Sequence, residues 1–187
     1  MKKAAVIFAE GCEEGEALTI VDVLRRAELH CDMVGLASPE VTGAHDITVR
    51  MDRVLDDDLQ EYDMVILPGG YGGADAMRNH PGLQAILRRR NEQNQLIAAI
   101  CAAPIALDAA GVLEGKRFTC YPSTAEKIHS GIHCDDLIVT DGNLTTSQGP
   151  ATAYAFAYRL AKILGADALS VQKRMAYFSA FDGEEER

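Results

Sequence analysis

Leu96-Ile97-Ala98-Ala99-Ile100-Cys101-Ala102-Ala103-Pro104 is the stretch whose reading decides the architecture. Five uninterrupted apolar residues are what a strand shows when both of its faces are covered. The segment that follows, 102–110, returns to helix. The same pattern recurs towards the N-terminus. Ala4–Phe8 is a second continuous apolar run, and Asp63–Leu67 is a third, ended by Pro68-Gly69-Gly70. Cys31–Ala37 and Ile47–Met51 read as further strands. A helix is expected over Glu14–Glu28, with Leu18, Val21 and Leu24 on one stripe. Another is expected over Pro81–Arg90, with Pro81 in its first turn and Leu83, Ile86 and Leu87 inward.

Towards the C-terminus, Lys116–Cys120, Leu137–Val139 and Leu144–Thr146 read as strands. The last two flank the turn signal Asp141-Gly142-Asn143. Helices are expected over Pro150–Leu164, with Tyr154, Ala157, Ala161 and Leu164 at helical spacing, and over Asp167–Phe178. The acidic tail Asp182–Arg187 reads as frayed. Alternating β and α units predict an α/β fold, a largely parallel sheet between helices, in a single domain spanning 1–187.

The bulk properties narrow the function. With 187 residues, about half of them apolar, the chain can build one good core. A net charge of −10 repels phosphate backbones, so nucleic acid is a poor partner. The local cluster Arg88-Arg89-Arg90 closes a helix, where positive charge complements the macrodipole. No apolar run approaches the ~20 residues of a membrane span. The apolar start Ala4–Ala9 meets Glu10, Glu13, Glu14 and Glu16 at once and shows no cleavage site, so it reads as a first strand and the protein as cytoplasmic. The five cysteines (Cys12, Cys31, Cys101, Cys120, Cys134) include no CxxC pair, which leaves disulfide and zinc readings weak.

In parallel sheets, ligands sit beyond the carboxyl ends of the strands. That directs attention to three turns: 10–16, 68–73 and 101–104. Cys101 lies between a buried strand and a helix, where the helix start favours thiolate. The small Ala102 and Ala103 let the chain turn sharply, as a nucleophile elbow requires. The same residue would also suit an inert core position. Glu13, Glu14 and Glu16 lie at the same sheet end. A carboxyl held near a thiolate has a raised pKa and can donate or shuttle a proton, and residue spacing alone does not choose among the three. Gly69-Gly70-Tyr71-Gly72-Gly73 lacks the lysine of a phosphate loop and the third glycine of a dinucleotide fingerprint. Its better use is a close-approach loop, with Gly70 N–H and Ala102 N–H forming an oxyanion hole beside Cys101.

Four blocks, Gly11-Cys12-Glu13-Glu14-Gly15-Glu16, Leu67-Pro68-Gly69-Gly70, Ala98–Pro104 and Thr145-Thr146-Ser147-Gln148-Gly149-Pro150, resemble the ThiJ/PfpI superfamily across nearly the whole chain. They are most similar to the branch of the parkinsonism-associated protein deglycase and its bacterial relatives. The resemblance implies a flavodoxin-like three-layer sandwich and a homodimer. It implies a nucleophile at Cys101, a protonated carboxyl at Glu16, and oxyanion amides at Gly70 and Ala102. It also implies cofactor-independent glyoxalase or deglycase activity on 2-oxoaldehydes and their adducts, with oxidative-stress roles through cysteine-sulfinic acid. Peptidase-like relatives place His after the cysteine, where this chain has Ala102. Several glyoxalase-like relatives place His where this chain has Tyr121, and His45 stands where relatives have an arginine near the site or dimer seam. Tyr121 and His45 are therefore candidate pocket residues. His30, His80, His129 and His133 show no metal spacing and read as surface residues.

Two functions use the same residues. One is an enzyme in which Cys101 adds to small aldehydes or glycated substrates and Glu16 moves the proton. The other is a redox-sensing chaperone (holdase), switched by oxidation of Cys101. Neither needs a cofactor, a metal or a membrane.

Overall fold

The computed structural model describes residues 1–56 and 59–180. The strands are β1 (Lys3–Phe8), β2 (His30–Gly35), β3 (Glu40–Thr42), β4 (Thr48–Arg50), β5 (Arg53–Val54), β6 (Met64–Leu67), β7 (Leu96–Ile100), β8 (Arg117–Phe118), β9 (Ile132–His133), β10 (Ile138–Asp141) and β11 (Leu144–Ser147). The helices are α1 (Glu14–Arg26), α2 (Tyr71–Asn79), α3 (Pro81–Glu92), α4 (Pro104–Ala109), α5 (Ala153–Ile163) and α6 (Ala168–Arg174). Seven strands form one sheet in the order β10-β11-β7-β6-β1-β2-β5, parallel throughout except for β10. This is the expected flavodoxin-like three-layer arrangement.

The alternation of side chains along β1 shows why its apolar run is unbroken. Ala4, Val6 and Phe8 face one core, shared with α1 and α5. Ala5, Ile7 and Ala9 face the other, shared with residues of α2, α3 and α4. A strand between two helical layers has no polar side, so period-2 patterning disappears. The chain runs outward through β1, β2 and β5, then returns to build β6, β7 and β11 on the other side of β1. The switch point therefore lies between β1 and β6, where an open α/β sheet leaves its crevice.

Several expected elements are shortened or moved. The strand expected at Ile47–Met51 is β4. It pairs with β3 in a separate hairpin, outside the main sheet. The strand expected at Lys116–Cys120 reduces to β8, paired with β9. The helix expected from Ala102 begins at Pro104, after a turn, and that expected over Asp167–Phe178 is the shorter α6. The helix expected from Pro150 starts as a 3₁₀ turn. Helix α2 grows out of the glycine-rich loop read as irregular. The tail 182–187 lies outside the described residues.

Arg90 is more than a helix-end charge. It is 1% exposed, and its guanidinium donates to the carbonyls of Leu59, Tyr62, Asp63 and Leu96. Those carbonyls sit in the chain approaching β6 and at the start of β7, so Arg90 ties α3 to the far end of the sheet from the crevice. Among the described residues, no helix is long and apolar enough to cross a membrane.

Candidate active site

Cys101 sits in the left-handed backbone region, with φ of 63°. For a residue with a Cβ this conformation costs roughly 1–2 kcal/mol, so the surroundings must hold it. The Cys101 N–H donates to Ser147 O at 3.0 Å, and its carbonyl accepts from Tyr121 N–H at 2.9 Å. The elbow is thus clamped between β11 and the turn after β8. Cys101 is buried, with 9% of its surface exposed.

Glu16 comes from the first turn of α1 and is fully buried. Its Oε2 accepts from Gly69 N–H at 2.7 Å. Its Oε1 is buried and receives no well-formed hydrogen bond. The Cys101 thiol interacts with this carboxyl. Burial pushes Glu16 up to about 7, Gly69 and the thiol pull it back, and Glu13 adds to the rise. The other two acids go elsewhere. Glu13 stands at the N-cap position of α1 without a side-chain capping bond, and its N–H donates to Gly69 O at 2.9 Å. Glu14 turns to the β3–β4 hairpin, where its oxygens accept from His45 N–H at 2.8 Å and meet His45 Nδ1 at 3.1 Å. Burial opposes ionisation of Glu14, but hydrogen bonds from its own backbone and from His45 prevail and lower its pKa.

His45 is raised in turn, first by its bond to Glu14 and then by the charges of Glu13 and Glu14. One donor atom each from Glu13, Glu14 and His45 lies within 4.8 Å of the others. The Glu14 and His45 donors are spent on each other, so this cluster reads as a latch from the hairpin to the start of α1.

Burial works against the thiolate that the helix start favours, and Cys101 is raised to about 12. Burial is the largest cause, followed by the charge of Glu16 and its hydrogen bond, while the amides of Gly70 and Ala102 pull the other way. Burial likewise lifts Cys12 to about 11, Cys31 to about 12 and Cys120 to about 11. Cys101 differs from them in having a side-chain hydrogen bond with an acid, Glu16, beside the amides of Gly70 and Ala102. A proton on Glu16 removes the adjacent negative charge and turns the carboxyl from acceptor into donor, so the two groups titrate as a pair.

Two glycines make this closeness possible. A Cβ on Gly69 would lie 2.5 Å from Cys101 Cβ, 2.8 Å from Glu16 Oε2 and 3.0 Å from Ala102 N. Gly70 has φ of 79°, and a Cβ there would meet Glu13 N at 2.4 Å. Gly69→Ala is therefore expected to separate sulfur from carboxyl and slow both turnover and alkylation of Cys101, on the order of 100-fold for a displacement near 1 Å. An unchanged alkylation rate, followed at Cys101 by mass spectrometry, would show that this packing is not needed.

Of the expected site residues, the structure brings together Cys101, Glu16, Gly70 and Ala102. Tyr121 joins them through its backbone N–H, and the residue is 40% exposed. His45 does not join them directly and acts on Glu14. Sequence reasoning did not single out Gly69 as the donor to Glu16 or Ser147 as the acceptor under the elbow, although both stand in the quoted blocks. Cys134 is the least buried thiol.

The chain is similar along most of its length to known proteins. Drosophila melanogaster dj-1beta is 42% identical over 167 residues, covering 87% of this chain and 89% of that protein. The crystal structure of Drosophila DJ-1beta superposes with a TM-score of 0.89 at 39% identity, over 93% of this chain and 97% of that one. The Caenorhabditis elegans glutathione-independent glyoxalase DJR-1.2 is 32% identical over 168 residues, covering 87% of this chain and 89% of that protein. A structure of oxidized Toxoplasma gondii DJ-1 matches with a TM-score of 0.88 at 29% identity, over 94% and 98% of the two chains. The model of the DJ-1/PfpI family matches residues 2–163, and the chain belongs to that family.

Proposed function

We propose that this protein is a cysteine-dependent, cofactor-independent glyoxalase or deglycase acting on 2-oxoaldehydes or their adducts. The observation that carries the reading is the buried Glu16 carboxyl, set near pH 7 and interacting with the Cys101 thiol. A carboxyl with its pKa near 7 can both give up and take up a proton at neutral pH. The Cys101 sulfur adds to the aldehyde carbon, the carbonyl oxygen takes up the proton, and a hemithioacetal forms. Gly70 and Ala102 N–H steady the developing oxyanion. Glu16 then carries the proton from the former aldehyde carbon to the neighbouring ketone carbon through an enediol, which leaves a thioester of the 2-hydroxy acid. Water cleaves the thioester, releasing the acid and restoring the thiol. The net change is addition of one water to the 2-oxoaldehyde, with no external oxidant or reductant. The relative named as a glutathione-independent glyoxalase supports the assignment.

The test is lactate formation from methylglyoxal by the wild-type protein and by Cys101→Ala. Production that persists at the wild-type rate in Cys101→Ala would overturn the reading.

The amides of Gly70 and Ala102 also support the second reading, a redox-sensing chaperone, because donors directed at the sulfur suit the oxygens of a sulfinate as well as an oxyanion. Peroxide pretreatment separates the two. A sensor gains holdase action as Cys101 oxidises, whereas an enzyme only loses turnover.

The protein is further proposed to be a single-domain cytoplasmic homodimer. Leu18, Val21, Met33 and Val49 line an open groove of 660 Å³ on α1 and the adjoining strands, rimmed by Asp22, Arg25 and Arg26. Such a face, mixed in charge at its edge, suits a second copy of itself. Light scattering at micromolar concentration is expected to give about twice the 20.2 kDa chain mass. A monomer mass would refute it.

A further inference from the structure

We propose that Tyr71 and Tyr121 form an aromatic wall at the mouth of the Cys101 site that binds the flat, apolar group of an electrophile, so that aryl 2-oxoaldehydes are preferred to alkyl ones. The substrate part of this rests on the aldehyde-processing reading above. Both rings are carried by residues attached to the elbow. Tyr71 directly follows Gly70, whose amide points at the sulfur. Tyr121 donates its N–H to the Cys101 carbonyl at 2.9 Å.

Each ring is also held. The Tyr71 hydroxyl meets Ser123 Oγ at 2.6 Å, and Lys127 Nζ stands 4.8 Å from the centre of its ring. Ser123 and Lys127 belong to the 3₁₀ turn Pro122–Lys127, which Tyr121 immediately precedes. The bond and the stacked cation therefore tie the two tyrosines into one unit, spanning from the oxyanion loop to the turn after β8. Tyr121 lies against Gly149, where a Cβ would come within 3.2 Å of its Cδ2. Yet Tyr71 is 50% exposed and Tyr121 40% exposed. Restrained aromatic rings that keep this much apolar surface in water are preorganised for a ligand, since little rotamer freedom remains to be lost on binding.

Lys127 stands over the Tyr71 ring, and half of the tyrosine's surface remains in water.

The experiment compares phenylglyoxal with methylglyoxal in turnover. In parallel, it compares iodoacetanilide with iodoacetamide in alkylation of Cys101, followed by mass spectrometry. Each aryl-to-alkyl alkylation ratio is divided by that of glutathione, which has no wall. The wild-type protein is expected to exceed glutathione by about fivefold or more, the gain of one or two aromatic contacts. Tyr71→Ala/Tyr121→Ala is expected to bring the alkylation ratio down to that of glutathione and to lower the turnover ratio about tenfold, mainly through KM. Tyr71→Phe keeps the ring and is expected to retain most of the preference. A wild-type alkylation ratio equal to that of glutathione, or one that survives in a folded double variant, overturns the proposal. If the double variant does not fold, the single Tyr121→Ala variant must still lower the ratio. Absence of turnover with either aldehyde, with the alkylation preference intact, overturns the enzymatic reading while upholding the wall.

Discussion

Glu16→Gln is expected to lower methylglyoxal turnover by about 10²–10⁴-fold, the range lost when a positioned proton-transfer group is removed, while Cys101 still reacts with iodoacetamide. Glutamine has nearly the shape of the carboxyl it replaces. Its amide oxygen can accept from Gly69 N–H as Glu16 Oε2 does at 2.7 Å. What it cannot do is release or take up a proton, and the proposed rearrangement needs both. The variant also separates reactivity from catalysis. The charge of Glu16 and its hydrogen bond both raise the thiol, so the alkylation midpoint should move to lower pH in Glu16→Gln. Circular dichroism checks the fold. Turnover within threefold of wild type, with the thiol titration moved, would show that Glu16 tunes the sulfur but carries no proton in the reaction.

The choice of Glu16 over its neighbours shows what the sequence could and could not say. All three acids stand just past the carboxyl end of β1, and residue type does not tell them apart. Helix geometry distinguishes them. Glu14 and Glu16 are two residues apart on α1, about 200° around its axis, so one faces the β3–β4 hairpin and the other faces the elbow. The pattern of blocks suggested Glu16, but its burial and its bond to Gly69 come from the packing of the loop after β6. The central strands were legible because β1, β6 and β7 are covered on both faces. The edges were not. Strands β3, β5 and β9 are two or three residues long, too short for any periodicity to appear.

Helix α2 was hidden by its own glycines, which lower helix propensity by about 1 kcal/mol each but let the loop pass close to residues 10–13. The raised thiol was hidden for a similar reason. A strand-to-helix turn reads as a thiolate site, whereas burial and a neighbouring carboxylate outweigh the amide donors. The latch between His45 and Glu14 joins residues 31 apart in the chain, and nothing in the local pattern of either announces it.

The same buried carboxyl that serves the chemistry should weaken the fold at high pH, and Glu16→Gln is expected to reveal this as a gain in stability. The folded pKa of Glu16 is about 7, against an ordinary value of 4.5. Between these values the folded state holds a proton that the unfolded chain has released. With the native state binding more protons, stability falls as pH rises. Below about 4.5 both states are protonated and Glu16 costs nothing by this route. Above about 7 the fold carries a buried charge, and the full penalty is on the order of 3 kcal/mol, from 1.36 kcal/mol per pKa unit. Glutamine has no such charge at any pH. Urea unfolding of wild type and Glu16→Gln should therefore give a stability difference that grows in favour of the variant between pH 4.5 and pH 8, by up to about 3 kcal/mol. Shifts at groups that Glu16 does not touch are common to both proteins and cancel in that difference. A variant that loses turnover and gains stability only at high pH is the behaviour of a group retained for chemistry at the expense of stability. A difference that stays flat across this range would mean that Glu16 ionises in the folded protein as it does in water, and would remove the basis for giving it the proton.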